Sequence, residues 1–220
     1  ILLKMKTSLA VIWDWNGTIV DDAPVFIKIM NEFLAERSLP LINSKKYREF
    51  FTFPVKNYYK LLGFQFSKKS FDELSLEFIK RYKEEMFKPS LVGEIKAFLT
   101  KLHLRGVPQI VVSAQENKLL NRAVNYYGLK NLFVATYGIQ NYKAASKVKM
   151  AKEVFDKHFK NYKKTIFIGD TEHDAEVATD LNIDCFLVSY GHCTYKRLKQ
   201  TGFPVFRSVS ELEGAIQKHL

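Results

Sequence analysis

The chain has 220 residues, 47% of them apolar, enough for one well-packed core carrying an insert but not for two large independent domains. Its formal charge of +11 invites a nucleic-acid reading, yet the lysines are spread along the chain beside glutamates, as in KRYKEEMFK, with no nucleic-acid-binding motif among them. No apolar run approaches the roughly 20 residues that cross a bilayer, and MKTSLAVIW is too short and strand-like for a secretory segment.

Cys185 and Cys193 have neither metal-type nor redox-type spacing. The expectation is a cytoplasmic protein with reduced thiols and no nucleic-acid or membrane partner, whose positive field draws in a small anionic ligand. Met5 is the expected natural start, with Ile1 to Lys4 an upstream extension.

The first predicted strand is LAVIWDW (9–15). After it, helical spacing appears at Phe26, Met30, Phe33 and Leu34, followed by a Ser70 and Glu73 capping-box pair that opens FDELSLEFIKRYKEEMF. This predicts a helical cap domain at 22–89, with residues 1–21 and 90–220 forming the core. The middle of the insert, FFTFPVKNYYKLLGFQF, is dense in aromatics. A small helical unit needs bulky groups for any core, and the unit as a whole can close over the strand ends as a lid.

Beyond the insert, helical patterns at 93–105, 116–127, 147–159 and 172–181 alternate with apolar runs PQIVVSA (108–114), KTIFIGD (164–170) and DCFLVSYG (184–191). Runs of this kind are buried on both faces, and the alternation predicts an α/β fold with a Rossmann-like, doubly wound parallel sheet. Ligands of such sheets bind beyond the carboxyl ends of the strands. The residues there are Asp14, Ser113 and Asp170.

GDTEHD sets Asp174 four residues after Asp170, so both carboxylates can face one point near a helix start. Acids at a helix N-terminus also have a plain capping role. With Asp14, however, they make three carboxylates for one crevice, and their repulsion calls for a hard cation such as Mg²⁺, which takes carboxylate, carbonyl, water and phosphate oxygens. Ser113 and a lysine from the Ser146 to Lys149 stretch would complete a pocket for a phosphoryl group.

Taken in order, DWNGT, IVVSA, Lys147 and GDTEHD resemble the four motifs of the haloacid dehalogenase superfamily, in its phosphatase branch. The resemblance implies a Rossmann-like core with a helical cap of the kind found in phosphoglycolate phosphatases and β-phosphoglucomutases. It implies Mg²⁺ as cofactor, a small phosphorylated metabolite as substrate, and Asp14 as the nucleophile of an aspartyl-phosphate. Asp14, Asp170 and the backbone carbonyl of Asn16 would hold the metal, with Asp174 acting directly or through water. Ser113, Thr18 and Lys147 would contact the phosphoryl group, Lys143 and Lys149 competing for the lysine's place. The intact Asp170 and Asp174 argue against dehalogenation, and Lys56 and Lys60 are weak candidates for the Schiff base that phosphonate cleavage needs.

The departure is Asn16, which stands where the family carries its general acid and base. An amide does neither job, and such catalysis is typically worth about 10²- to 10⁴-fold. Three explanations compete: a leaving group stable enough to need no proton; a substitute among Asp22, Glu172, His173 and His192; or a slow or inactive protein that binds phosphometabolites without turnover.

Overall fold

The computed structural model describes residues 8–66, 70–139 and 145–220, the side chains of Ala145 and Ser146 apart. Ile1 to Lys4 and Lys143 lie outside the described residues. Six strands, β1 (Leu9–Trp13), β2 (Gln109–Glu116), β3 (Ala135–Ile139), β4 (Lys164–Gly169), β5 (Asp184–Val188) and β6 (Val205–Phe206), form one sheet in the order β3-β2-β1-β4-β5-β6. All pairs are parallel. β1 therefore lies inside the sheet, Trp13 level with Val111 on one side and Ile168 on the other.

Every residue of β1 is buried, and alternation splits them between two cores. Leu9, Val11 and Trp13 face a core that takes in α5 (Ile95–Leu104), α6 (Asn117–Tyr126) and α10 (Val209–Gln217). Ala10 and Ile12 face the other, built with α7 (Ala145–His158), α8 (Glu172–Asp180) and α9 (Tyr195–Lys199).

Between β1 and α5 the chain forms α1 (Ala23–Ala35), α2 (Ser44–Phe50), α3 (Val55–Leu61) and α4 (Phe71–Glu85). Helix α4 opens with the expected capping box, the Glu73 carboxylate accepting from the Ser70 amide at 2.6 Å and the Glu73 amide donating to Ser70 Oγ at 3.2 Å. Phe33, Tyr47, Tyr58, Leu74 and Tyr82 from these helices join the same core as Trp13. Among the described residues, no helix is long and apolar enough to cross a membrane.

Expected boundaries shift at β1 and β5, among others. β1 stops at Trp13 rather than continuing through Trp15, because the Trp15 carbonyl accepts from the amides of Thr18, Ile19 and Val20 and winds the chain into a turn. Gly17 makes that turn at φ 73°, a left-handed conformation that a Cβ would strain. β5 ends at Val188, short of Gly191.

Candidate active site

The ends of β1 and β4 bring the acids together. Asp14 follows β1, its amide bonded to the Ile168 carbonyl at 2.8 Å. Asp170 follows β4 and Asp174 lies in the first turn of α8, and each of the three has a carboxylate oxygen within 4.8 Å of the others. Lys147, on α7, reaches between them: its Nζ is 2.5 Å from Asp14 Oδ1 and 2.6 Å from Asp174 Oδ1. Lys149, two residues on, is exposed. The phase of α7 explains the difference, since Ala151 and Val154 face the sheet and Lys147 stands four residues before Ala151.

Asp174 plays its capping role and also faces the crevice. Its Oδ2 accepts from the amides of Asp170 (3.1 Å) and Thr171 (2.9 Å) and from Thr171 Oγ1 (2.7 Å), so it caps its own helix while Oδ1 holds Lys147. Asp170 accepts from the His192 amide at 2.5 Å and from Thr18 Oγ1 at 3.2 Å. Thr18 is fully buried, and its hydroxyl is on Asp170 rather than in the cavity where a phosphoryl contact was expected. Ser113 lines the cavity, with Oγ 3.4 Å from Asn16 Oδ1 and accepting from the Gln115 amide at 3.1 Å.

Burial sets the electrostatics. It pushes Asp14 up to about 8, against the pull of Lys147 and with the help of Asp174 and Asp170. It lifts Asp170 to about 6, with His192 opposing. At Asp174 burial loses to the Lys147 charge, and the pKa falls below the usual value. At Lys147 burial is likewise outweighed, by Asp14 and Asp174, which hold the ammonium charged.

Asn16 has a partner that sequence reasoning did not join to it. Its Nδ2 donates to Asp22 Oδ2 at 2.5 Å and lies 2.9 Å from Tyr82 Oη. Asp22 is fully buried and also accepts from the Gly17 amide (3.0 Å) and Tyr82 Oη (2.8 Å). His192 Nε2 stands 3.3 Å from Asp22 Oδ1 as a charge contact, while Nδ1 meets Tyr47 Oη at 2.7 Å. Burial works against charge on His192, but Asp22 and Asp170 raise its pKa above the usual value. Of the candidates to replace an acid at position 16, His192 lines the cavity and Asp22 sits behind Asn16. Glu172 pairs with Arg197, and His173 Nδ1 lies 2.9 Å from Glu176.

The cavity at this point measures about 230 Å³. Its floor carries Asp14, Asn16, Ser113, Lys147 and Asp170, and most of its wall comes from the insert. Helix α2 is tied down over it. Arg197 Nη1 donates to the carbonyls of Arg48 (3.0 Å), Glu49 (3.2 Å) and Phe51 (2.7 Å), and Arg48 Nη2 donates to the Tyr190 carbonyl.

The sequence profile of the haloacid dehalogenase-like hydrolases matches residues 11–188, from β1 through β5. The chain belongs to this family. A curated phosphoglycolate phosphatase from Rhodobacter capsulatus is 22% identical over 219 residues, covering 94% of this chain and 96% of the relative. Among solved structures, a predicted phosphatase from Clostridium acetobutylicum superposes with a TM-score of 0.77 at 22% identity, over 97% of this chain and 100% of that one. The Mycobacterium tuberculosis protein tyrosine kinase A superposes at 0.79 with 20% identity, over 96% and 98%. These likenesses concern the fold, and one fold hosts many chemistries.

For this hydrolase, the donor set suits a hard divalent cation. Asp14 and Asp170 are converging carboxylates, and Asp14 Oδ2 accepts no hydrogen bond among the described residues. Asp174 is different: its Oδ2 accepts from two amides and a hydroxyl and its Oδ1 holds Lys147, whereas each Asp170 oxygen accepts one hydrogen bond, so Asp174 suits a role through water or through Lys147.

Proposed function

We propose that this hydrolase is a Mg²⁺-dependent phosphatase that transfers the phosphoryl group of a small phosphorylated metabolite to Asp14 and then to water. The observation that carries the reading is Lys147 bridging Asp14 and Asp174 beside Asp170 and Ser113, at the floor of one cavity. One Asp14 carboxylate oxygen attacks phosphorus, the bond from phosphorus to the ester oxygen breaks, and its electron pair leaves on that oxygen. Water then attacks phosphorus, which frees inorganic phosphate and returns the Asp14 carboxylate.

Lys147 and the Ser113 hydroxyl would hold the phosphoryl oxygens, and Lys147 would also favour the ionised form of Asp14 against its burial. Thr18 would serve the site by fixing Asp170. Mg²⁺, held by Asp14, Asp170 and the carbonyl of residue 16, would supply charge neutralisation of the phosphoryl group. The insert, residues 22–89, would act as a cap that excludes water from the first transfer.

The test is Mg²⁺-dependent phosphate release, beginning with 2-phosphoglycolate because of the relative's name. Asp14→Asn is expected to abolish it, and acid-stable labelling of Asp14 by substrate would show the intermediate. A second reading, a slow or inactive phosphometabolite-binding protein, has its own support: the side chain at 16 is an amide committed to Asp22. Ligand affinity without release from any ester or acyl phosphate would favour it.

A further inference from the structure

Above the acids, the cavity wall has a definite chemistry. It is made of rings and aliphatic groups, among them Phe26, Phe53, Phe71 and Phe78 from the insert and Leu119 from α6. Among the described residues that line it, Lys147 is the sole lysine or arginine, and its charge is already shared by Asp14 and Asp174. His192 also lines it, but one ring nitrogen meets Tyr47 and the other lies against Asp22.

Among the described lining residues, a carboxylate on the leaving group would thus find no lysine or arginine free to pair with it, and His192 is already engaged by Tyr47 and Asp22, so its burial there is unfavourable. The spare polar atoms are uncharged: Tyr58 Oη and both polar atoms of the Gln115 side chain are buried without a partner and line the same cavity. They offer hydrogen bonds to a substrate but no charge.

Size narrows the choice. A dry apolar cavity of roughly 150 Å³ accepts benzene, so about 230 Å³ is room for one ring together with a phosphoryl group. Asn16 points the same way by an independent route. With an amide at 16, the leaving oxygen gets no proton from that position, and a phenol, with a pKa of about 10, departs as its anion far more readily than an aliphatic alcohol.

We propose that this site selects an uncharged single-ring aromatic leaving group, so that its substrates are aryl phosphates of about the size of phenyl phosphate rather than phosphorylated hydroxy acids or sugars. The proposal rests on the phosphatase reading above. In the reaction, the phosphorus to aryl-oxygen bond breaks as Asp14 attacks, the phenolate leaves with the electron pair and takes its proton from solvent, and water hydrolyses the aspartyl-phosphate.

The experiment has a binding arm and a turnover arm, both with the full chain and Mg²⁺. By calorimetry, benzylphosphonate and 3-phosphonopropionate share a head group that cannot be hydrolysed. Benzylphosphonate is expected to bind at least about tenfold tighter, and Ser75→Arg, which sets a cation in the wall from α4, to reverse the order. Equal or tighter binding of 3-phosphonopropionate to the unmodified chain overturns the proposal.

For turnover, phenyl phosphate, 2-phosphoglycolate and acetyl phosphate are compared. Phenyl phosphate is expected to exceed 2-phosphoglycolate by roughly a hundredfold in kcat/KM. Similar rates on all three leave the phosphatase standing and overturn the aryl preference alone. No release from any of them overturns the phosphatase and the proposal with it.

Discussion

Restoring an aspartate at position 16 is the natural experiment for a family member that lacks it, and the structure predicts that the single change fails. Asn16 Nδ2 lies 2.5 Å from Asp22 Oδ2, so Asn16→Asp turns a donor into a second carboxylate facing a fully buried first one. With charge centres about 4 Å apart and an effective dielectric constant of about 20, the repulsion is about 4 kcal/mol. Loss of the amide's hydrogen bond to a charged acceptor adds roughly 1.5–3 kcal/mol.

The repulsion is complete where both groups are ionised and is relieved as one takes up a proton, so the destabilisation grows with pH. Urea unfolding in EDTA at pH 5 and pH 8, on Asn16→Asp, Asp22→Asn and the double variant, measures it. The expected result is a loss of at least about 4 kcal/mol for Asn16→Asp at pH 8, a smaller loss at pH 5, and recovery of much of it in the double variant. Turnover of alkyl phosphates is expected in the double variant and not in Asn16→Asp. Stability of Asn16→Asp equal to the parent at pH 8, or a coupling within about 0.5 kcal/mol, would refute the reasoning.

Other changes test the rest of the site. In EDTA, stability is expected to fall as pH rises from about 4 to 8. Asp14 and Asp170 have folded pKa values of about 8 and about 6, both above the unfolded carboxylate value, so the folded state holds the extra protons in that window. His192, also raised, adds in the same direction, whereas the lowered Asp174 contributes stability that is lost only as pH falls below the window. Asp14→Asn is expected to flatten the slope in a thermal melt series.

Lys147→Met leaves Asp14 and Asp174 buried without their shared cation. A loss of about 3–5 kcal/mol and of turnover by at least about a hundredfold is expected from denaturation and steady-state kinetics. Gly191→Ala puts a methyl group inside contact distance of Asp170 Oδ2 and the Gly17 carbonyl, and calorimetry should show weakened Mg²⁺ binding. Arg197→Ala removes the ties to α2, and a higher KM with a smaller change in kcat is the expected kinetic split.

The buried strands were legible because continuous apolar runs such as LAVIW and KTIFIG have few alternatives, and the acids were legible because they close those runs. β3 was not, since ATYGI is short and half-buried, and β6 has two residues. Helix α10 carries a readable signal, an amphipathic pattern opened by a Ser208 cap. The choice of Lys147 over Lys149 was readable from its four-residue spacing to Ala151. The tie between Asn16 and Asp22 is local, yet its third member, Tyr82, stands sixty residues along the chain from Asp22, a separation that no local pattern bridges. The same holds for Tyr47 on His192.

The arginine ties over the cavity land on main-chain carbonyls, three from residues 48, 49 and 51 to Arg197 and one from Tyr190 to Arg48. Every amino acid supplies a carbonyl. These four ties are therefore indifferent to most side chains of the segment they grip, whereas the ties of Tyr47 to His192 and of Tyr82 to Asp22 are ones that a substitution cuts. For the main-chain ties only the donors Arg48 and Arg197 are committed, so the other side chains of residues 49–51 can vary without cutting them.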